Sequence, residues 1–243
     1  VFLVCIRRVA AVIVAAGSGT RLGASKPKAL VELGGRCLLD RALAGVRAAG
    51  VDHVVVTVSA DMRDDAAVVA LGSQPGVCVI EGGAERADSA WRGVQHAYEL
   101  LGCPGEGEAT IVVHDAARCL TPPAMIERVI DAVAAGARGV IPALPVVDTI
   151  KVVDGAEQVV GAPQRAMLRA AQTPQGFDAA TLVRANRQWQ QSQGAGDAAV
   201  VTDDASLLEL IGVPVQVVEG AAEALKITNP IDMVVAEFYL SRG

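Results

Sequence analysis

The sequence predicts an α/β protein with a doubly wound, mostly parallel sheet, and three observations lead to this fold class. Short segments rich in Val and Ile alternate with longer segments of helical periodicity. The Val- and Ile-rich segments are almost continuously apolar, as strands buried on both faces are. Only 3% of the 243 residues are aromatic, which suits a core of small aliphatic side chains. We therefore expect a single domain over residues 1–243.

The predicted elements follow each other in strand–helix order. Five segments are predicted buried strands: RVAAVIVAAG, HVVVTVSA, VCVIEGG, ATIVVHDAA and RGVIPALP. CLLDRALAGVRAAG and RADSAWRGVQHAYELLG are predicted helices. In the second helix Ala90, Val94, Ala97 and Leu101 form one apolar stripe, and Gly102 ends it. Because ligands of such sheets lie beyond the carboxyl ends of the strands, we expect the functional residues there.

One segment departs from this order and predicts a projecting β-hairpin arm at about residues 145–165. VVDTIKVVDGAEQVVGAP alternates apolar and polar residues around Asp154 and Gly155, which indicates a hairpin with a two-residue turn. A lone hairpin is marginally stable unless it packs on another surface. We therefore expect the arm to pack on a second copy of the chain, forming a homodimer.

Charge and composition exclude several classes of protein. The net charge of −6 and the pI of about 5.1 argue against binding along a nucleic-acid backbone and favour a small anionic ligand held by a local cluster of basic groups. No apolar stretch approaches the roughly 20 residues of a membrane span. The scattered cysteines lack metal-type spacing and predict buried thiols in a cytoplasmic protein: Cys5, Cys37, Cys78, Cys103 and Cys119.

The first predicted strand leads into AAGSGTRLGASKPK, which has the composition of a phosphate-binding loop. It does not fit the dinucleotide fingerprint G-x-G-x-x-G, because Gly23 comes one residue too late, and it lacks the G-x-x-x-x-G-K-[ST] pattern. What remains is a glycine turn whose N–H groups can close on phosphate oxygens, with Arg21 and Lys28 beyond it. A glycine-rich turn with solvated charges stays open as the alternative.

A second cluster, VVHDAAR, puts His114 and Asp115 at the end of a buried strand. A single carboxylate there suits Mg²⁺, which takes its other ligands from water and substrate phosphates. The alternative is that Asp115 caps the following helix, although Thr121 before two prolines is the better predicted cap. His114 has no partner at metal spacing and is predicted to be a hydrogen-bonded core imidazole.

The ordered motifs AAGSGTRLGASKPK, GGAERADS, HDAAR, DTIK, QTPQGF, TDDAS and LKITNP resemble one family, the 2-C-methyl-D-erythritol 4-phosphate cytidylyltransferases of the non-mevalonate isoprenoid pathway. The resemblance runs from about Val9 to Tyr239 and implies a Rossmann-like nucleotidyltransferase fold. It also implies a reaction in which methylerythritol phosphate attacks the α-phosphorus of CTP and releases pyrophosphate, with Mg²⁺ as the cofactor.

The resemblance further implies a set of site residues. The triphosphate would be wrapped by Ala15, Ala16, Gly17, Ser18, Gly19 and Thr20, and cytosine would be read by Gly83, Ala84 and Ser89. The catalytic cations would be Arg21, Lys28 and Lys226, and Asp115 would hold the metal. The acceptor would be bound by Arg118, Thr173 and Glu223, joined by Thr149 and Arg165 from the partner's arm. Glu223 stands where Asp is usual, and GAPQR precedes Arg165 without the common acidic residue.

This implied chemistry agrees with the residues themselves. The attacking phosphate is already an anion, so no covalent nucleophile is needed and catalysis consists of positioning and electrostatic stabilisation. Asp203 and Asp204 are predicted to cap a helix, and Trp91 and Trp189 are predicted to pack rather than stack on cytosine. Three alternatives stay open: transfer to another polyol phosphate such as ribitol 5-phosphate, a nicotinamide dehydrogenase, and a non-catalytic nucleotide-binding protein.

Overall fold

The computed structural model describes residues 8–17, 19, 22–23, 26–193 and 201–242, and within them a central sheet carries helices on both faces. The strands are β1 (Val9–Val14), β2 (Glu32–Leu33), β3 (Arg36–Cys37), β4 (His53–Val58), β5 (Val77–Glu81), β6 (Thr110–Asp115), β7 (Gly139–Pro145), β8 (Val152–Val153), β9 (Val159–Gly161), β10 (Arg169–Ala171), β11 (Gln175–Asp178) and β12 (Val215–Glu219). The helices are α1 (Leu38–Ala48), α2 (Ala66–Gly72), α3 (Arg86–Leu100), α4 (Pro123–Ala134), α5 (Ala179–Gln193), α6 (Asp204–Leu210) and α7 (Pro230–Leu240).

The large sheet is mostly parallel, as the sequence predicts. β1 pairs in parallel with β4 and β6, and β4 pairs in parallel with β5. β11 runs antiparallel between β6 and β7, whereas β12 runs parallel along the other edge of β7. All five predicted strands are present. The sequence analysis missed β10, β11 and β12, because the first two are short and β12 is largely exposed and lacks a buried apolar run.

The strands β10 and β11 follow one another along the same edge of β7, with a bulge between them. Ala171 pairs with Ala143 and Gly176 pairs with Val140, so five steps along one strand match three along β7. The two additional residues form a bulge over the segment 172–174, although the N–H of Gln172 still donates to the carbonyl of Pro142 on β7 at 2.8 Å. Bulges re-aim side chains, and this one lies next to the carboxyl end of β6.

The core lies on both faces of the sheet, as the alternation along β1 shows. Ala11 and Ile13 pack on the side of α1 and α4, whereas Ala10 and Val12 pack on the side of α3 and α5. All four side chains are fully buried. A strand buried on both faces is apolar at every position, which explains the continuous run in the sequence.

Helix α3 buries the apolar stripe that the sequence predicts and packs close to β1. Ala90, Val94, Ala97 and Leu101 are buried, and Gly102 ends the helix with a φ of 71°. Gly93 allows the close approach, because a Cβ there would collide with the side chain of Val12. The packing of α3 places its first residue, Arg86, at the carboxyl edge of the sheet.

The arm is present as the two-stranded antiparallel pair β8–β9, but its turn is longer than predicted. The N–H of Asp154 donates to Gln158 at 3.0 Å, and Glu157, not Gly155, has the positive φ of 59°. The Asp154 carboxylate accepts from the N–H groups of Ala156 and Gln158, which stabilises this wider loop. The prediction of a two-residue turn was therefore wrong, whereas the prediction of a hairpin is confirmed.

The structure also tests the predictions on the cap of α4, on the cysteines and on membrane-spanning helices. Thr121 does not cap α4, because its hydroxyl donates to the carbonyl of Arg118 at 2.8 Å and Pro122 stands at the cap position. Of the cysteines that the structure describes, Cys119 is buried and Cys103 is exposed, so the expectation of buried thiols holds only in part. None of the helices in the described ranges combines the length and apolarity that crossing a bilayer requires.

Candidate active site

A cavity of about 480 Å³ opens at the carboxyl ends of β1 and β6, where the sequence predicts the site. The turn after β1, the start of α3, the end of β6 and the segment before α7 all contribute to its wall. Its lining includes Ala15, Ala16, Gly17, Gly19, Lys28, Gly83, Ala84, Ser89, Asp115 and Lys226. The topology therefore brings residues from four distant parts of the chain to one cleft.

The glycine turn and Lys28 are in close contact. Gly19 has a φ of 65°, and a Cβ on it would collide with the Cβ of Lys28. The Lys28 ammonium donates to the carbonyl of Ile227 at 3.1 Å, which ties the turn to the segment that carries Lys226. Ser18, Thr20 and Arg21, which were predicted to bind phosphate, lie outside the described residues.

Gly83, Ala84 and Ser89 form another part of the wall. The hydroxyl of Ser89 accepts from the N–H of Gly83 at 3.0 Å and donates to the carbonyl of Glu85 at 3.0 Å. Gly83 itself allows no side chain, because a Cβ there would collide with Asp88. Ser89 thus shapes the loop, and the exposed backbone of that loop lines the cavity.

Asp115 is the central charged group of the cavity. It is 6% exposed and forms two ion pairs, with Lys226 at 2.7 Å and with Arg86 at 2.9 Å. Burial by itself would raise the pKa of this carboxyl group, but the two cations outweigh burial and hold the pKa well below its usual range. Asp115 is consequently an anion throughout the physiological range. It does not cap α4, because Pro122 stands at the cap position of that helix.

Arg86 is the residue that the sequence analysis missed. Its guanidinium joins Asp115 at 2.9 Å to Asp204 at 3.0 Å. Burial raises the pKa of Asp204 despite this contact, because the side chain is enclosed and other carboxylates lie near. Asp203 caps α6 by accepting from the N–H of Ser206, so the predicted capping role holds for Asp203 but not for Asp204. The only signal in the sequence was the occurrence of Arg86 and Asp204 within the motifs GGAERADS and TDDAS.

Thr173 and His114 support Asp115 from within the protein. The hydroxyl of Thr173 accepts from the N–H of Asp115 at 3.0 Å and is 3.0 Å from Nδ1 of His114. Burial lowers the pKa of His114 to about 4, so the ring is neutral at pH 7. The expectation of a hydrogen-bonded core imidazole is confirmed. Thr173 is 5% exposed and does not line the cavity.

Arg118 contacts the turn that carries Glu223, and neither of these two residues predicted for the acceptor lines the cavity. Arg118 donates through Nη1 to the carbonyl of Ala224 at 2.7 Å and through Nη2 to that of Ala171 at 3.3 Å. Glu223 is exposed in the 3-10 turn Ala222–Ala224. Arg118 therefore holds this turn in place with the same guanidinium that was predicted to bind the acceptor.

The two predicted arm residues are not brought to the cavity of their own chain. Thr149 and Arg165 are exposed, and Arg165 donates to the carbonyl of Val147 at 2.9 Å. The arm also exposes apolar side chains, among them Val147, Val159 and Val160. An exposed apolar hairpin has the character of an interaction surface.

The donor set at Asp115 can be compared with what Mg²⁺ requires. Within the described ranges no three metal-ligating side chains come together. A single ionised carboxylate on a cleft wall fits Mg²⁺, which keeps several waters and binds substrate phosphates. It does not fit a structural zinc ion, which needs four protein ligands.

Comparisons with known proteins agree with this geometry. The family model of IspD, 2-C-methyl-D-erythritol 4-phosphate cytidylyltransferase, matches residues 9–242. Proteins of that name from Corynebacterium diphtheriae and Nocardia farcinica are each 47% identical, over 95% and 96% of this chain and 93% and 94% of their own lengths.

Solved structures are similar over nearly the whole chain as well. The cytidylyltransferase of Thermus thermophilus is 32% identical with a TM-score of 0.76, covering 97% of this chain and 100% of its own. The 4-diphosphocytidyl-2C-methyl-D-erythritol synthase of Anaerococcus prevotii is 26% identical with a TM-score of 0.78, covering 97% and 99%. With a family model matching residues 9–242 and relatives at 47% identity, this chain belongs to the 2-C-methyl-D-erythritol 4-phosphate cytidylyltransferase family.

Proposed function

We propose that this chain transfers CMP from CTP to 2-C-methyl-D-erythritol 4-phosphate. A phosphate oxygen of the acceptor forms a bond to the α-phosphorus, the bond to the β-phosphate breaks, and pyrophosphate leaves. The observation that carries the proposal is the meeting of the glycine turn, Lys28, Asp115 and Lys226 in one cavity. Membership of the family supports the choice of substrates.

The charges of the cavity suit this reaction. The N–H groups of the turn that includes Gly17 and Gly19 would bind the triphosphate, with Ser18 and Thr20. Lys28, Lys226 and Arg21 would stabilise the negative charge that grows on the phosphorus centre and on pyrophosphate. Backbone groups at Gly83 and Ala84 would contact cytosine in the loop that Ser89 shapes.

Asp115 would hold Mg²⁺ with the substrate phosphates as further ligands. When bound, the ion neutralises phosphate charge and orients the triphosphate. Lys226 pairs with the carboxylate of Asp115 on the cavity wall, from where its ammonium would reach a bound phosphate. Arg86 keeps the same carboxylate in place from the other side.

The acceptor would bind at Arg118, Thr173 and Glu223, beside the cavity, and the partner's arm would complete the site. We propose a homodimer in which the arm of one single-domain chain brings Thr149 and Arg165 to its partner. The exposed apolar side chains of the arm and the absence of either residue from the cavity of its own chain support this arrangement. The free thiols are in keeping with a cytoplasmic enzyme.

The substrate is tested by measuring Mg²⁺-dependent pyrophosphate release from CTP with a panel of polyol phosphates. Methylerythritol phosphate should give the highest kcat/KM, and omission of Mg²⁺ should abolish release. A preference for ribitol 5-phosphate would replace the proposed acceptor. CTP binding without turnover on any acceptor would indicate a non-catalytic protein, and binding of NADH would favour a dehydrogenase.

The shared site is tested by mixing two inactive chains. Heterodimers of Arg165→Ala and Lys28→Ala chains contain one site with neither substitution, so they should recover part of the wild-type activity. The heterodimers are isolated with two different affinity tags, and each homodimeric variant serves as the control. Heterodimers no more active than the two parents would contradict the contribution of the arm.

A further inference from the structure

The side chain of Gln172 holds the segment between β12 and Lys226. Gln172 is 5% exposed, and its Oε1 accepts from the N–H of Ala221 at 3.0 Å. Its Nε2 donates to the carbonyl of Ala221 at 2.8 Å and is 3.4 Å from that of Ala224. The carboxamide thus pairs with both backbone groups of Ala221, as a neighbouring strand would.

The backbone around Gln172 fixes where this carboxamide lies. Gln172 is the first residue of the bulge between β10 and β11, and its own N–H donates to the carbonyl of Pro142 at 2.8 Å. Gly220 leaves space for the side chain, because a Cβ there would collide with Oε1 of Gln172 and lie 3.0 Å from the carbonyl carbon of Ala143. The bulge places Gln172 beside Gly220, and the missing side chain of Gly220 leaves room for the carboxamide.

The segment that Gln172 holds carries a residue predicted to bind the acceptor and leads to a residue of the cavity. Glu223 lies within it, and the carbonyl of Ala224 accepts from both Gln172 and Arg118. Lys226 follows directly and reaches Asp115 at 2.7 Å. Beyond Lys226 the chain is fixed again, because the N–H of Ile227 donates to Ala117 at 2.9 Å.

We propose that Gln172 is a positioning residue for CMP transfer, which fixes the turn Ala222–Ala224 so that Glu223, Arg118 and Lys226 keep their places relative to Asp115. The inference rests on the proposed function. Gln172 does not line the cavity and has no direct part in the chemistry. Its effect on the reaction passes through the turn that it holds.

This role affects the acceptor more than CTP. The elements that would bind CTP before the reaction are the turn after β1 and the loop at Gly83, and neither contacts Gln172 through any hydrogen bond among the described residues. Lys226 would act on the charge that grows during the reaction, so its displacement should lower kcat rather than raise the KM of CTP. The predicted acceptor residues Arg118 and Glu223 lie on or against the held turn. Loss of the carboxamide should therefore raise the KM of the acceptor while leaving the KM of CTP nearly unchanged.

The test compares Gln172→Met with wild-type enzyme. Methionine keeps the volume but leaves the N–H and the carbonyl of Ala221 without the carboxamide, whereas the carbonyl of Ala224 keeps its hydrogen bond from Arg118. Asn186→Ala is the matched control, because Asn186 is also a buried amide, 4% exposed, and within the described part of the chain it donates inside α5 to the carbonyl of Leu182. Each variant is measured for kcat, for both KM values, and for hydrogen exchange of the Ala221 amide, which is a readout independent of activity.

Gln172→Met should raise the acceptor KM ~10-fold or more, change the CTP KM less than ~3-fold, and accelerate exchange at Ala221, as expected for a lost buried hydrogen-bond set. Gln172→Ala repeats the test if the Met variant does not fold. Equal changes in both KM values, unchanged acceptor KM, or the same split in Asn186→Ala would overturn the inference. A wild-type enzyme without turnover would instead reject the proposed function, and the Ala221 exchange would still test whether Gln172 holds the turn.

Discussion

The ammonium of Lys226 lies 2.7 Å from the carboxylate of Asp115, which joins the segment after β12 to the end of β6. Arg86 binds the other oxygen of the same carboxylate at 2.9 Å. Arg86 also pairs with Asp204 at 3.0 Å, so the cations Lys226 and Arg86 are matched by the carboxylates Asp115 and Asp204. If Lys226 leaves Asp115 for a substrate phosphate, the carboxylate keeps its ion pair with Arg86, so no buried anion is left unpaired.

Replacing Lys226 with Met should lower kcat about 100-fold or more, because a cation that stabilises growing phosphate charge is lost. The change also removes one of the two cations that lower the pKa of Asp115. Steady-state kinetics with saturating CTP and acceptor measures the effect. Arg187→Met, on the exposed surface of α5, is the control and should retain wild-type kcat. A kcat for Lys226→Met close to that of wild type would remove Lys226 from the chemical step.

Gly19→Ala should destabilise the turn, because its φ of 65° disfavours a side chain and the new Cβ would collide with Lys28. We expect a loss of about 1–2 kcal/mol in the free energy of unfolding, from the left-handed conformation alone. Gly17→Ala is the matched control, because no atom lies within 4 Å of its built Cβ. Urea denaturation of both variants measures the difference, and equal stability of the two would contradict the close contact.

Asp204→Asn should weaken the hold on Arg86, because the ion pair at 3.0 Å becomes a neutral hydrogen bond. Burial disfavours the charge of Asp204, but its removal leaves Arg86 and Lys226 with Asp115 as their shared carboxylate, so we expect a net cost of about 1–3 kcal/mol of unfolding free energy. The adjacent Asp203→Asn is the control: asparagine caps helices about as well as aspartate does, so its cost should be smaller. Chemical denaturation at pH 7 compares them, and the reverse order of stability would count against the Arg86 link.

The stability of the metal-free protein should fall below neutral pH because of His114. The native pKa is lowered to about 4, whereas the unfolded imidazole has a pKa of about 6.5, so the unfolded state binds the proton first. The stability that depends on a neutral His114 is fully present above the pKa of the unfolded state and is lost as the pH falls. The free energy of unfolding should therefore decrease by about 2 kcal/mol between pH 7 and 5.

The measurement for this prediction is a series of urea denaturations in EDTA between pH 7 and 5. His114→Gln removes the titrating ring and should show a smaller pH dependence than wild type over this interval. Identical slopes for the two proteins would mean that His114 is protonated in the folded state as readily as in the unfolded state.

Sequence patterns determined the parallel core of this protein and the place of its site. A strand buried on both faces must be apolar throughout, and a helix packed on a sheet must keep one apolar stripe. Short sequence windows therefore sufficed to predict β1, β4, β6 and α3. The glycine turn after β1 and Asp115 at the end of β6 then followed from the rule that parallel strands end at one edge. These features depend on residues that are neighbours in the chain.

The pairing of polar residues that are distant in the chain depends on the tertiary structure. Arg86 looked like any charged residue at a helix start, and its contacts with Asp115 and Asp204 exist because α3, β6 and α6 meet at the sheet edge. Gln172 reaches Ala221 only because the bulge beside β7 points its side chain toward the end of β12. Polar side chains have no period along the chain, and their pairing is set by packing of apolar elements around them, so no local pattern records it.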